Sequence, residues 1–442
     1  MNLIGNINAI PFRRFRGGGG VSPIPPFPSI PGMIARYSAL GLTNEQMAAN
    51  PVWVDKTGNG HDLQMKNFAW KEGSGISDVY PGFILGDGVD DFAITEEDFN
   101  FEKEFCVYLA AIFFPQDSPH NDAVLGKNSN KDIRVLQYNN NLTFNSGKHT
   151  YCSVSLGQFS IVAFKRKDDT LLAKNLTTGV SNSVKATSSV LENPGKFYLW
   201  VVKDFSGYSD AAIAGSIIVN GRFTTDEDDE KVLDWYKKQY PWLFPYQAWT
   251  VTGKTNEDED RATIANITGN GNDLVLSNFG FIEGSGYNKE GEYAGYLVTD
   301  GVDDKITSSI FEMGKDFTIV GDWKFIDNKK SGTGLVKGSS FYIYNTMIGL
   351  DLYINSVSVK NSLDGIKSIN AACSDGRAYD RNWNEILANT GNVVGSGGIL
   401  EVSSSSGRFD RIAFKNLAIY PRILSKDDCI KAYNYLQTLK AK

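Results

Sequence analysis

The sequence predicts a mainly β protein: two tandem β-sandwiches, each closing with a short helix, after a flexible N-terminal anchor. Three observations predict it. The chain repeats itself, its repeats are dense in short apolar runs punctuated by glycine, and each repeat ends on a helix-start signal. The segment Thr57-Gly58-Asn59-Gly60-His61-Asp62-Leu63 returns as Thr268-Gly269-Asn270-Gly271-Asn272-Asp273-Leu274. Asn67-Phe68 returns as Asn278-Phe279, Glu72 to Gly75 as Glu283 to Gly286, and Asp87 to Asp91 as Asp300 to Asp304. The offset is 211 residues at the first block and 213 at the last. A period that long is a whole domain, not a solenoid unit.

Residues 1–32 precede the first repeat and form the expected anchor. Phe12, Arg13, Arg14, Phe15 and Arg16 lead into Gly17 to Gly20, then a proline-rich stretch from Pro23 to Pro31. Glycine runs are flexible and proline runs extended, so this reads as a tether with an adhesive head that orders on a partner. Arginine forks and phenylalanine rings suit a small docking interface.

The first sandwich is expected over residues 33–240. Phe105 to Phe114 is a continuous apolar run that suits a strand buried on both faces. Lys196 to Phe205 also reads as a strand. Thr225-x-x-Asp228 opens a helix carrying Val232, Leu233, Tyr236 and Tyr240. Residues 241–247 are a short apolar linker, Pro241-Trp242-Leu243-Phe244-Pro245 at its centre, so the two domains should pack on each other. The second sandwich spans 248–442. Phe317 to Phe325 alternates more than its counterpart, with one face wet. Phe409 to Tyr420 reads as a strand, and Ser425-x-x-Asp428 starts a helix with Cys429, Tyr433 and Leu436 on one face.

Composition narrows the function. The chain of 442 residues has 41% hydrophobic and 21% charged residues, ordinary for a globular protein, and 44 glycines that favour turns. A net charge of −7 argues against nucleic-acid binding. No apolar run reaches the roughly 20 residues of a membrane span, so no membrane insertion is expected. A basic start followed by an apolar stretch is missing, so no secretory signal is predicted. Cys106, Cys152, Cys373 and Cys429 form no Cys-x-x-Cys pair and are expected as buried thiols.

The Asp-Gly-Val-Asp-Asp blocks are turns between strands, where glycine supplies positive φ and aspartates cap amides. A retaining glucanase on a sandwich of this kind carries Glu-x-Asp-x-Glu on one strand. Glu102-Lys103-Glu104 is the nearest approach, and repeat two has Gly314-Lys315-Asp316 there. No catalytic residues are therefore assigned. Exposed aromatics are another way to hold a sugar. Arg377, Tyr379, Arg381 and Trp383, just past the Asp375-Gly376 turn, are the candidate glycan-binding set.

The DGVDDF and DGVDDK blocks, each about thirty residues after a TGNG block, resemble concanavalin-A-like domains of the laminin-G type, over nearly all of residues 33–442. The segments GLTNEQMAANP and GKTNEDEDRATI resemble fibre and appendage proteins of tailed phages of gut Bacteroides, including crAss-like phages. The resemblance implies a virion structural protein, a head or tail fibre assembled in the host cytoplasm. It would dock on other virion proteins through its N-terminus, self-associate as a trimer in preference to a dimer, and touch host glycans. A carbohydrate-active depolymerase and a bacterial surface adhesin are the alternatives. Laminin-G-type domains often bind calcium at one rim, which makes Asp87, Asp90, Asp91, Asp300, Asp303 and Asp304 candidate ligands.

Overall fold

In the computed structural model the described residues are 26–442, except 115–121, 128–132, 139–140, 147–150, 157–158, 187–194, 202–206, 327–332, 338–340, 346–348, 355–356, 365–368, 387–395, 403, 406–407, 410 and 442. The Phe12–Arg16 anchor lies outside the described residues.

The architecture is mainly β and antiparallel. Among the described residues each half contributes two eight-stranded sheets. At the centre of one sheet in the first half, Glu104–Phe113 pairs with Ala211–Asn220 and with Phe159–Lys167. The second half repeats this with Thr318–Phe325 between Ile412–Tyr420 and Ile369–Cys373. Each of these sheets packs on a facing sheet, which makes a sandwich.

Strand periodicity divides the apolar side chains between two cores. Along Glu104–Phe113, Phe105, Val107, Leu109, Ala111 and Phe113 point between the two sheets, where they meet Val135, Phe144 and Leu199. Cys106, Tyr108, Ala110 and Ile112 point the other way, into a second cluster outside the sandwich. That cluster includes Val232, Trp235 and Tyr236 from a helix, α1 (Asp226–Gln239), and Cys429, Ala432, Tyr435 and Leu436 from another, α2 (Lys426–Thr438). Because helices cover its outer face, the strand is buried on both sides, as its continuous apolar run predicts.

Both helices start where their caps say. The Thr225 hydroxyl accepts from the Asp228 amide, and the Asp228 carboxylate answers from the reverse direction. Ser425 accepts from the Asp228-equivalent amide, that of Asp428, at 3.1 Å. Helix α1 is clamped to its sheet by a buried polar network. Asp229 accepts from Tyr108 at 2.8 Å and pairs with Lys165 at 2.8 Å and Lys174 at 3.0 Å. All four thiols are buried and free.

The linker is part of this outer core. Trp242 is 1% exposed, lies 5.6 Å edge-on to Tyr435 of α2, and packs on Phe83 and Tyr240 of the first half. Tyr420 donates to the Trp242 carbonyl at 3.0 Å, and Arg422 Nη1 to the Lys237 carbonyl at 3.0 Å. One cluster thus runs from Phe83 and Phe159 in the first sandwich to Tyr379, Tyr420 and Tyr435 in the second.

Three expectations need correction. The strand expected over Lys196–Phe205 is Phe197–Leu199. It ends at Trp200, whose backbone turns left-handed (φ 63°) and whose indole donates to the Ala211 carbonyl at 2.8 Å. Thr318–Phe325 was expected with one wet face, yet it is buried almost throughout, because α2 covers that face. The last residues of the expected tether are packed on the first sandwich. Ile30 is buried, the Phe27 ring lies 5.1 Å from Trp235, and the Arg36 guanidinium sits 4.8 Å over Phe27.

Candidate functional site

Most of the chemistry of the repeated blocks is spent on backbone. Asn44 bridges the Ile76 amide and carbonyl, and Asn256 does the same at Tyr287. Gly75 and Gly286 are required there, since a Cβ would stand 2.5 Å from the Asn44 or Asn256 side-chain oxygen. Asn59 and Asn270 donate to the carbonyls of Ile34 and Tyr246. The Ser74 and Ser285 hydroxyls accept from the amides of Ala69 and Gly280.

The aspartate blocks follow the same logic. Asp87 Oδ1 accepts from the amides of Val89 and Asp90, at 2.8 and 3.2 Å. Asp91 Oδ2 accepts from the Asp87 amide at 3.0 Å. In repeat two, Asp300 Oδ1 accepts from Val302 and Asp303, and Asp304 Oδ2 from Asp300 at 2.7 Å. Within each trio a carboxylate oxygen of every member lies within 4.8 Å of the others. Burial, reinforced by the two neighbouring aspartates, pushes Asp91 and Asp304 up to about 6. The oxygens are hard donors of the kind calcium takes. The amide bonds already close both turns without an ion, so the geometry fits a turn clamp in full and a cation site only in donor type.

The candidate glycan set is brought together, but not as an open platform. Tyr379 is fully buried under α2. Trp383 packs 5.6 Å edge-on against Tyr433 of that helix. Arg377 is held by Asp375 at 2.6 Å, and Arg381 is exposed. A sugar cannot stack on a ring that a helix covers, so the expectation of exposed aromatics fails at Tyr379, and Trp383 anchors the helix. Glu104, from the nearest approach to a carboxylate motif, accepts from the Phe223 amide.

Sequence reasoning missed a different pair of rings. Trp70 and Phe281 occupy the same place in the two repeats, just before the Glu-Gly-Ser-Gly turn. Both are half-buried, and both have left-handed backbone, φ 52° and 51°. A bulky residue there costs roughly 1–3 kcal/mol, and glycine would not. Trp70 stacks on Phe68 at 5.1 Å. The Arg261 guanidinium stands 5.1 Å over Phe281 and places donors beside that ring. Asn67 and Asn278 tie each ring's loop to the aspartate turn through the carbonyls of Asp90 and Asp303. At the tips of those turns Val89 and Val302 are each 69% exposed. The readable signal was an aromatic at the same register of both copies, two residues before the glutamate.

A cleft of about 520 Å³ lies between the two halves, lined by residues of both and by the linker. Among the described residues no helix is long and apolar enough to cross a membrane.

No family model matches the chain, and no curated protein does. Among solved structures it is similar to the binding domain of botulinum neurotoxin DC in complex with SialylT, at 11% identity and a TM-score of 0.40, over 89% of this chain and 95% of that one. A structure of botulinum neurotoxin type C, whose cell entry depends on interaction with two ganglioside molecules, gives 12% and 0.39, over 89% and 98%. Trypanosoma rangeli sialidase with 2,3-difluorosialic acid gives 11% and 0.35 over 48% of this chain. The chain spans about a third of the length of the sialidases it matches, 34% for that one.

Proposed function

We propose that this chain is a non-catalytic, saccharide-binding display protein of a virion appendage, held to the particle by Phe12–Arg16 and presenting two equivalent aromatic rims. The observation that carries the binding reading is the pair Trp70 and Phe281. Each is a half-buried ring kept on strained backbone at the same position of a duplicated domain. The recurrence of a left-handed ring at the same register of both copies supports a shared role for the two positions. A ring face with an adjacent guanidinium, as at Phe281 and Arg261, suits a sugar, whose apolar face stacks while its hydroxyls bond sideways. The virion assignment and the trimeric assembly rest on the sequence resemblance, and the N-terminal docking on the Phe-Arg head and its Gly/Pro tether.

The test is binding of the purified chain to immobilised bacterial capsular saccharides, wild type against Trp70→Ala/Phe281→Ala. Loss of at least about tenfold in affinity is the expected outcome, with a melting curve confirming that the variant is folded, since alanine keeps the Cβ and hence the left-handed strain. Equal retention by the double variant sinks the rim reading. Antibody-labelled electron microscopy of intact particles tests the location, and a truncation of residues 1–20 that still incorporates at normal copy number rejects the anchor.

A further inference from the structure

The chain is acidic as a whole, at −7, yet the cleft between its halves carries Lys237, Arg422 and Lys440, and no acidic side chain lines it among the described residues. A cationic cleft in an anionic protein concentrates anions against the general field. Its remaining walls are of two kinds. Phe244 and Tyr246, both half-buried, offer ring surface, and Asn270, whose side-chain nitrogen donates to the Tyr246 carbonyl, leaves its amide oxygen for a hydroxyl. The volume falls within the roughly 300–1,000 Å³ of small-ligand sites, which favour domain interfaces.

The cationic wall is constructed and not incidental. Arg422 comes from the second half and Lys237 from the end of α1 in the first. The bond from Arg422 Nη1 to the Lys237 carbonyl, at 3.0 Å, joins the two halves at the cleft and fixes the guanidinium there. The Lys237 ammonium lies 6.0 Å over the Phe244 ring, so charge and ring surface are presented together. Neither half alone contains the site.

We infer that this cleft binds a carboxylated sugar residue, such as a uronic or nonulosonic acid. The carboxylate lies against Arg422 and Lys237, the ring against Phe244 and Tyr246, and the hydroxyls toward Asn270. A simple inorganic anion would not use the ring surface, and a neutral sugar would not use the cations. The site is separate from the rim aromatics. Its binding therefore survives Trp70→Ala/Phe281→Ala, and its failure leaves the rim reading standing.

Saturation-transfer NMR and calorimetry with free glucuronate and N-acetylneuraminate, against glucose and inorganic phosphate, test it on the full chain. At least one carboxylated sugar is expected to bind saturably, at least about tenfold tighter than glucose and phosphate. Lys237→Ala/Lys440→Ala, which leaves the Arg422 bond to the Lys237 backbone in place, is expected to lose at least about tenfold while keeping the wild-type melting curve. Should that variant melt early, Lys440→Ala alone, at an exposed residue, serves as the second probe and is expected to weaken binding without changing the fold. No saturable binding of either acid, equal binding of glucose or phosphate, or full affinity in all of these variants overturns the assignment.

Discussion

Replacing Trp242 by alanine asks whether the two sandwiches are one cooperative body. Trp242 is 1% exposed and touches Phe83 and Tyr240 on one side and Tyr435 on the other. Truncation of a tryptophan this buried costs roughly 3–5 kcal/mol, from lost burial and the cavity left behind. Unfolding entropy of about 2.1 cal/mol/K per residue gives about 0.9 kcal/mol/K for a chain of this length, so a molecule melting as a unit should lose about 3–6 °C. The cost falls on the junction and not on either inner core. We therefore expect differential scanning calorimetry to show one transition for the wild type and two resolved transitions for Trp242→Ala. The ratio of calorimetric to van't Hoff enthalpy should rise towards two. The control is Val89→Ala, at an exposed tip, which should leave the curve unchanged. A Trp242→Ala variant that melts as a single transition within about 1 °C of wild type would refute the shared-core argument.

Two further outcomes are expected. Asp229→Ala leaves Lys165, buried in the same network, without its counter-ion, and should cost about 3–5 kcal/mol in urea unfolding. A loss below about 1 kcal/mol would mean that α1 is held by its apolar face alone. The second concerns Asp91 and Asp304, raised to about 6 by burial from an ordinary 3.8. A raised carboxyl keeps its proton in the folded state, so stability from these groups falls as pH rises from about 4 through 6. The full shift would be worth about 3 kcal/mol per group, and screening by water at the turns brings this to about 1. Asp91→Asn/Asp304→Asn should therefore flatten the decline in Tm between about pH 4 and 6. Millimolar calcium should leave the wild-type profile unchanged if the turns are amide clamps, and should abolish the decline if an ion binds there.

What the sequence reveals and what it hides have a common physical cause. The duplicated blocks stand out because Asn44, Gly75, Asp87 and their counterparts each satisfy a backbone demand that few residue types meet. The helix caps at Thr225 and Ser425 are legible for the same reason, being local hydrogen bonds. The wet face expected on Thr318–Phe325 is wrong because α2, which covers it, lies about a hundred residues further along the chain. Tyr379 and Trp383 look like an open platform for the same reason. The cleft could not be read at all, since its walls come from residues as distant as Phe114, Tyr246 and Lys440. Trp70 and Phe281 were in plain view, but what pairs them is left-handed backbone at one register of both copies, which residue identity does not display.

The way α2 closes the molecule has a consequence for its biosynthesis. Tyr435 sits against Trp242, which packs on Phe83 of the first sandwich. A ribosome delivers the first sandwich long before it delivers this helix. During that interval the apolar face around Tyr80, Phe83 and Phe159 lacks the part of its cover that α2 supplies, while the polypeptide behind it is still being made. The nascent first domain is then a sticky intermediate, prone to mispair with another copy, and its shielding depends on the speed at which the second domain is completed. Slow codons within residues 248–425 should therefore lower soluble yield more than the same codons placed before residue 33.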